Sequence, residues 1–106
     1  MSVDQKDKID IISTSPEGKI ILTISDHLQW DEKDEHLLML QDKLNSYLEY
    51  IKSGQIFKSY PTAKNKNLTI LLNLKYEPNE LGIAFLYKCR ESTQNYDVWF
   101  EWEKLN

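Results

Sequence analysis

The residues of this chain best suited to chemistry lie in one short stretch, residues 24–36, with the sequence ISDHLQWDEKDEH. The stretch contains both histidines of the 106-residue chain and five of its 17 acidic residues. Imidazole and carboxylate groups often cooperate in acid–base catalysis and are also common metal ligands. Two interpretations are therefore open: a catalytic or metal site, or the acidic start of a helix.

The spacing of the two histidines argues against a metal or catalytic site. His27 precedes a predicted helix and His36 lies within it, so the helix itself does not bring the rings together. An HExxH zinc pair is not present in the sequence. Glu32 is four residues from His36, a spacing that predicts a contact on the helix surface. We predict no catalytic residue, metal or cofactor, and a small enzyme using His27 and His36 with nearby carboxylates remains the weaker alternative.

The acidic residues of the stretch fit the start of a helix. Asp31 is placed to accept hydrogen bonds from the unpaired N–H groups of the first turn. Asp34 and Glu35 follow in that turn, where the helix dipole favours negative charge. The helix interpretation thus accounts for more of these residues than a reaction does.

Nucleophile and phosphate-binding patterns are absent from the rest of the sequence. The chain has three glycines and contains neither a phosphate-binding loop nor a GxSxG elbow. Its single cysteine, Cys89, excludes an internal disulfide and falls on the apolar side of a predicted helix. We predict a buried, unreactive thiol.

The composition limits the class of protein and of partner. A chain of 106 residues predicts one domain. The net charge of −4 disfavours binding to a phosphate backbone, so nucleic acid is not an expected partner. The N-terminal sequence is polar, and no apolar run approaches the ~20 residues of a membrane span. We expect a cytoplasmic protein that does not interact with a membrane.

The first half of the chain predicts a β-hairpin followed by a helix. Isoleucine-rich segments 8–13 and 19–25 flank a Ser-Pro-Glu-Gly turn. Apolar residues then recur every three or four positions, up to a glycine suited to ending a helix, Gly54. The predicted stripe consists of Leu37, Leu40, Leu44, Tyr47, Leu48 and Ile51. Lys43 is assigned to the polar side, and residues 55–60 to an extra edge strand or an ordered loop.

The second half predicts a strand, a helix and a final strand. Residues 68–76 alternate between apolar and polar types, and residues 77–80 resemble a helix start. That helix is predicted to bury Leu81, Phe85, Leu86 and Cys89 and to end at residues 92–95. In the last strand Val98, Phe100 and Trp102 alternate with Trp99, Glu101 and Glu103. The expected fold is an α+β two-layer sandwich of order ββαβαβ, with helices on one face of a four- to five-stranded sheet.

Residues 22–61 resemble a group of small bacterial single-domain proteins known as a domain of unknown function. The resemblance is carried by the phrases TISDHLxWD, HLxxLQxKLNxYL and SGxI, with a later KYxP segment at residues 75–78. It covers about two thirds of the chain and is weaker over residues 94–106. The resemblance implies a fold unit and a bacterial origin, and no reaction.

A small acidic chain without catalytic motifs is typical of a protein-binding module. The most concrete expectation is a bacterial immunity protein that neutralises a basic toxin domain, because acidic and aromatic surfaces complement such partners. The residues expected to contact the partner are Trp99, Glu101, Glu103, Asp31 and Glu35. An accessory cytoplasmic protein, or a homodimer with Trp99 in its interface, remains the alternative.

Overall fold

The computed structural model describes residues 11–27, 29–30, 35–64 and 66–104. Along the chain the elements are β1 (Ile11–Thr14), β2 (Ile20–Asp26), α1 (Glu35–Lys52), α2 (Gln55–Ser59), a short 3-10 helix (Pro61–Ala63), β3 (Leu68–Leu74), α3 (Glu80–Gln94) and β4 (Val98–Lys104). The predicted α+β class and the predicted order of the main elements are confirmed. The proposed cap Asp31 and the predicted first-turn residue Asp34 lie outside the described residues.

The four strands form one mixed sheet in the order β1-β2-β3-β4. The hairpin turn between β1 and β2 is closed by a hydrogen bond from Gly18 N to Ser15 O, and these two strands are antiparallel. Strands β2, β3 and β4 are parallel, with Ile20 beside Leu68 and Leu68 beside Val98. Parallel neighbours need crossover connections, which α1 and α3 supply. Both helices line a common groove and therefore lie on the same face of the sheet.

Strand alternation places the core between the sheet and these two helices. The sheet contributes Ile20, Leu22, Ile24, Leu68, Ile70, Leu72, Leu74, Val98 and Phe100. From the helices come Leu40, Leu44, Tyr47, Leu48, Ile51, Leu86 and Cys89. The predicted stripe of the first helix is thus confirmed, except that Leu37 is only partly buried. No described helix covers the other face of the sheet, which we call the open face.

Lys43 was assigned to the polar side of the first helix, and this assignment is wrong. Its side chain is 0% exposed. The ammonium Nζ lies 5.4 Å from the centre of the Tyr47 ring. Lys43 sits three positions after Leu40 and four before Tyr47, so helical geometry places it in the buried stripe. Its long methylene stem can pack among apolar side chains there.

Residues 55–60 were expected to form an extra edge strand or an ordered loop. They instead contain the short helix α2. Gly54 adopts a left-handed conformation with φ 81° and turns the chain out of α1. Ile56 is then fully buried, and Tyr60 N donates a hydrogen bond to Ile56 O. The buried side chain of Ile56 thus anchors this segment on the core.

The helix α3 begins and ends within the predicted ranges, but one residue of its predicted apolar face is exposed. Asn79 caps the helix, with Oδ1 accepting a hydrogen bond from Gly82 N at 2.7 Å. Leu81 was expected in the core but is 53% exposed. Within the last turn of the helix, the buried Thr93 hydroxyl donates a hydrogen bond to Arg90 O at 3.0 Å. Among the described residues, no helix is both long and apolar enough to cross a membrane.

Candidate functional site

The acid–histidine stretch contributes a buried pair at the end of β2. Asp26 is the last residue of the strand, and His36 lies in the first turn of α1. Nε2 of His36 is 2.6 Å from Oδ2 of Asp26. The two residues are 5% and 2% exposed, respectively. The His36 ring is therefore buried against the carboxylate of the strand and does not lie on the helix surface, while Glu32, its expected neighbour, lies outside the described residues.

The second nitrogen of the His36 ring is also engaged. Nδ1 lies 3.1 Å from the carbonyl oxygen of Gln29. A carbonyl oxygen only accepts, so Nδ1 is the donor in this bond. Each ring nitrogen of His36 therefore has a hydrogen-bond partner within the protein.

Trp30 closes this buried pair from one side. The centres of the Trp30 and His36 rings are 4.2 Å apart. The Trp30 indole Nε1 donates to Tyr76 O at 3.2 Å, just beyond the end of β3. On its other side the Trp30 ring meets α3, where a Cβ added to Gly82 would lie 2.6 Å from a ring carbon. Trp30 therefore ties together α1, the end of β3 and the start of α3.

Side chains that contact one another fill the described part of this end of the sheet. In sheets with parallel strands, ligands commonly bind beyond the carboxyl ends of the strands. Here His36 and Trp30 occupy that region, while His27 points to solvent. Among the described residues, no three or more histidine, cysteine, aspartate or glutamate side chains converge as a metal site would require.

Cys89 is buried in α3, as predicted. Burial raises the pKa of its thiol to about 12, because the thiolate would lose its hydration. The nucleophilic form is therefore scarce at neutral pH.

The predicted partner-binding residues of β4 do share one surface. Trp99 is 58% exposed, and Glu101 and Glu103 are also exposed. Alternation along the strand places all three on the open face. Glu35 is exposed as well, but it starts α1 and belongs to the helix layer on the other side. Asp31, the fifth predicted residue, lies outside the described residues.

The opposite face of β4 carries a cation–aromatic cluster that sequence reasoning missed. The guanidinium carbon of Arg90 lies 4.4 Å from the centre of the Trp102 ring and 5.6 Å from that of Tyr87. Arg90 Nε also donates to the carbonyl oxygen of Phe100 at 3.2 Å. Among the described strands β4 pairs with β3 alone, so this bond engages a backbone group of a strand at the edge of the described sheet. Sequence spacing alone does not relate Arg90 to Trp102.

A groove of about 480 Å³ opens where β4 begins. It is lined by Asn67, Gln94, Asp97, Val98 and Trp99. These residues come from the turn before β3, the end of α3 and the start of β4. The groove therefore adjoins the exposed indole, at the end of the sheet opposite to the Asp26–His36 pair.

The fold and its exposed strand define a small α+β sandwich protein with one helix-covered sheet face and one open face. The chain belongs to the family of unknown function DUF6572, which it matches over residues 1–106. The family resemblance of the central segment is thereby confirmed, and the match extends through residues 94–106. No curated protein and no solved structure matches the chain significantly.

Proposed function

We propose that this protein is a protein-binding module that contacts a basic partner through the open face of its sheet at β4. In its most concrete form, it is an immunity protein that neutralises a bacterial toxin domain. The observation that carries the proposal is the exposure of Trp99, whose side chain is 58% exposed near the start of β4, the last strand in the sheet order. Tryptophan is among the residues that contribute most to binding energy in protein interfaces.

The scaffold beneath Trp99 supports its role as an anchor. Trp99 lies beside Thr69 of the neighbouring strand. Thr69 is buried although it belongs to the open face. The preceding and following residues of β4, Val98 and Phe100, are fixed in the core. An indole held on such a strand loses little conformational freedom on binding, which favours affinity.

The charges around Trp99 indicate the chemistry of the partner. Glu101 and Glu103 project from the same face as the indole, and the whole chain carries a net charge of −4. Such a surface attracts a basic domain and accelerates encounter with it. The same net charge opposes pairing of two copies of this chain, so a heterologous partner is favoured over a homodimer.

The alternative of a small enzyme based on the histidines has less support. His36 is buried with both ring nitrogens hydrogen-bonded. His27 is exposed and belongs to no cluster of metal-binding side chains among the described residues.

The direct test is to search the genes adjacent to that of this protein for one that encodes a basic toxin-like domain, and to measure binding of this protein to that domain. We expect a complex of one copy of each, and protection of cells that express the toxin domain. Trp99→Ala should weaken the complex by about 2 kcal/mol or more, with an unchanged melting temperature. Phe57→Ala is the matched control, because Phe57 is also an exposed aromatic residue but lies on α2.

Three results would contradict the proposal. The first is equal losses of affinity in the Trp99→Ala and Phe57→Ala variants. The second is full protection of cells by the Trp99→Ala protein. The third is sedimentation of the protein as a homodimer that Trp99→Ala dissociates, which would assign this surface to self-association.

A further inference from the structure

We propose that the groove at the start of β4 is a binding site for a guanidinium group, supplied by an arginine side chain of the partner. This inference rests on the proposed function, because it names the chemical group that the partner inserts beside Trp99. It follows from the side chains that line the groove and from the conformation of the turn that forms one of its walls.

The lining combines the three kinds of group that a guanidinium recognises. Asp97 supplies a carboxylate, Asn67 and Gln94 supply amide oxygens, and Trp99 supplies an indole. A guanidinium is planar, has five N–H donors and stacks on aromatic faces. The groove volume of about 480 Å³ leaves ample room for one arginine side chain.

The backbone of Asp97 is held in a conformation that residues other than glycine rarely adopt. Its φ is 59°, and it alone among the described non-glycine residues has a positive φ. The conformation is maintained by the turn after α3, in which Asp97 N donates to Gln94 O at 3.1 Å. Residues in unfavourable backbone regions occur preferentially at functional sites. Asparagine is at least as tolerant of this region, so the distinctive contribution of aspartate here is its charge.

The other face of β4 already shows a guanidinium held by tryptophan. Arg90 stacks on Trp102 with its guanidinium carbon 4.4 Å from the ring centre. None of the cation–ring contacts among the described residues involves Trp99. The two tryptophans thus differ in that Trp102 has an arginine from its own chain, whereas Trp99 presents its ring to the groove and to solvent.

A nearby lysine limits the strength of the site. Lys66 is exposed and precedes Asn67 in the chain. Its positive charge opposes a cation at that wall, so we expect a millimolar site for an isolated arginine. The remainder of the interface would then supply most of the affinity for a whole partner.

The test uses N-acetyl-arginine amide as the probe and N-acetyl-citrulline amide as its neutral analogue of nearly the same shape. The readout is the indole N–H resonance of Trp99 in ¹H–¹⁵N spectra, assigned with a Trp99→Phe variant. We expect the arginine probe to shift this resonance in a saturable way and the citrulline probe to have little effect. Asp97→Asn should weaken binding about three- to five-fold, as expected for loss of one exposed ion pair.

The control variant is Glu101→Gln, which also removes one negative charge but lies outside the groove. It should change probe binding less than Asp97→Asn does. Equal shifts from the two probes, no saturable shift with arginine, or equal effects of the two variants would each overturn the inference. The titration needs no partner, so its result is independent of the proposed function. If Asp97→Asn left partner binding unchanged, the groove would have no role in the interface. The proposal for the Trp99 surface would not be affected by that result.

Discussion

Nε2 of His36 lies 2.6 Å from Oδ2 of Asp26, and both side chains are buried where β2 ends and α1 begins. Removing one partner of a buried hydrogen-bonded pair forfeits that bond and leaves space where the ring had packed. His36→Ala should therefore destabilise the protein by about 1–3 kcal/mol in urea unfolding. His27→Ala, at an exposed position, should stay within about 0.5 kcal/mol. Similar losses from the two variants would mean that the His36 pair contributes no special stability.

Gly82 is required by the close approach of the Trp30 ring. An added Cβ would lie 2.6 and 2.8 Å from two ring carbons. Gly82→Ala should thus destabilise by about 1–3 kcal/mol through overpacking, although alanine is the better helix former. In a Trp30→Ala background the same change should cost less, because only the contact with Asn79 Oδ1 at 3.2 Å remains. Thermal unfolding of the four proteins measures both effects, and an equal cost of Gly82→Ala in the two backgrounds would contradict the proposed clash.

Substitutions at two positions of α1, one in its buried stripe and one on its exposed side, should have unequal effects on stability. Leu44 is buried among the core residues, whereas Glu49 is exposed. Leu44→Ala should cost about 2–5 kcal/mol because it leaves a cavity. Glu49→Ala should change the free energy of unfolding by less than about 0.5 kcal/mol. Equal values in denaturant titrations would indicate that a different helix face packs on the sheet.

The Cys89 thiol should resist modification in the folded protein. With its pKa raised to about 12 by burial, roughly one thiol in ten thousand is ionised at pH 8. A disulfide reagent that releases a coloured thiolate should react slowly with the native protein and completely in denaturant. Cys89→Ser provides the unreactive control. Immediate reaction of the native protein at pH 8 would show that the thiol is accessible and ionised.

The acidic residues of β4 should act mainly on the rate of association with a basic partner. Glu101→Lys should slow association several-fold at low salt, and less at high salt, because screening shortens the range of the interaction. Glu49→Lys on α1 changes the net charge by the same amount away from the open face. Stopped-flow kinetics at two salt concentrations measures the association rates of both variants. An equal dependence of the two rates on salt would show that the position of Glu101 on the open face does not matter.

The sequence alone determined the elements whose patterns are local. Apolar spacing of three and four marked the buried stripe of α1, and alternation in β4 correctly separated buried Phe100 from exposed Trp99. These predictions succeed because a helix and a strand repeat their side-chain directions with a fixed period. The exposed face of β4 was therefore predicted correctly from the sequence, whereas the groove with Asp97 was not predicted.

Contacts between distant parts of the chain were decided only by the tertiary structure. Three such contacts depend on how α1 and α3 cross the sheet. Asp26 pairs with His36, Trp30 packs against Gly82, and Arg90 stacks on Trp102. Lys43 was likewise assigned to the surface because it is charged, although its spacing along the helix places it in the buried stripe. Periodicity gives the direction of a side chain along its own element, whereas its partner depends on the packing of one element against another.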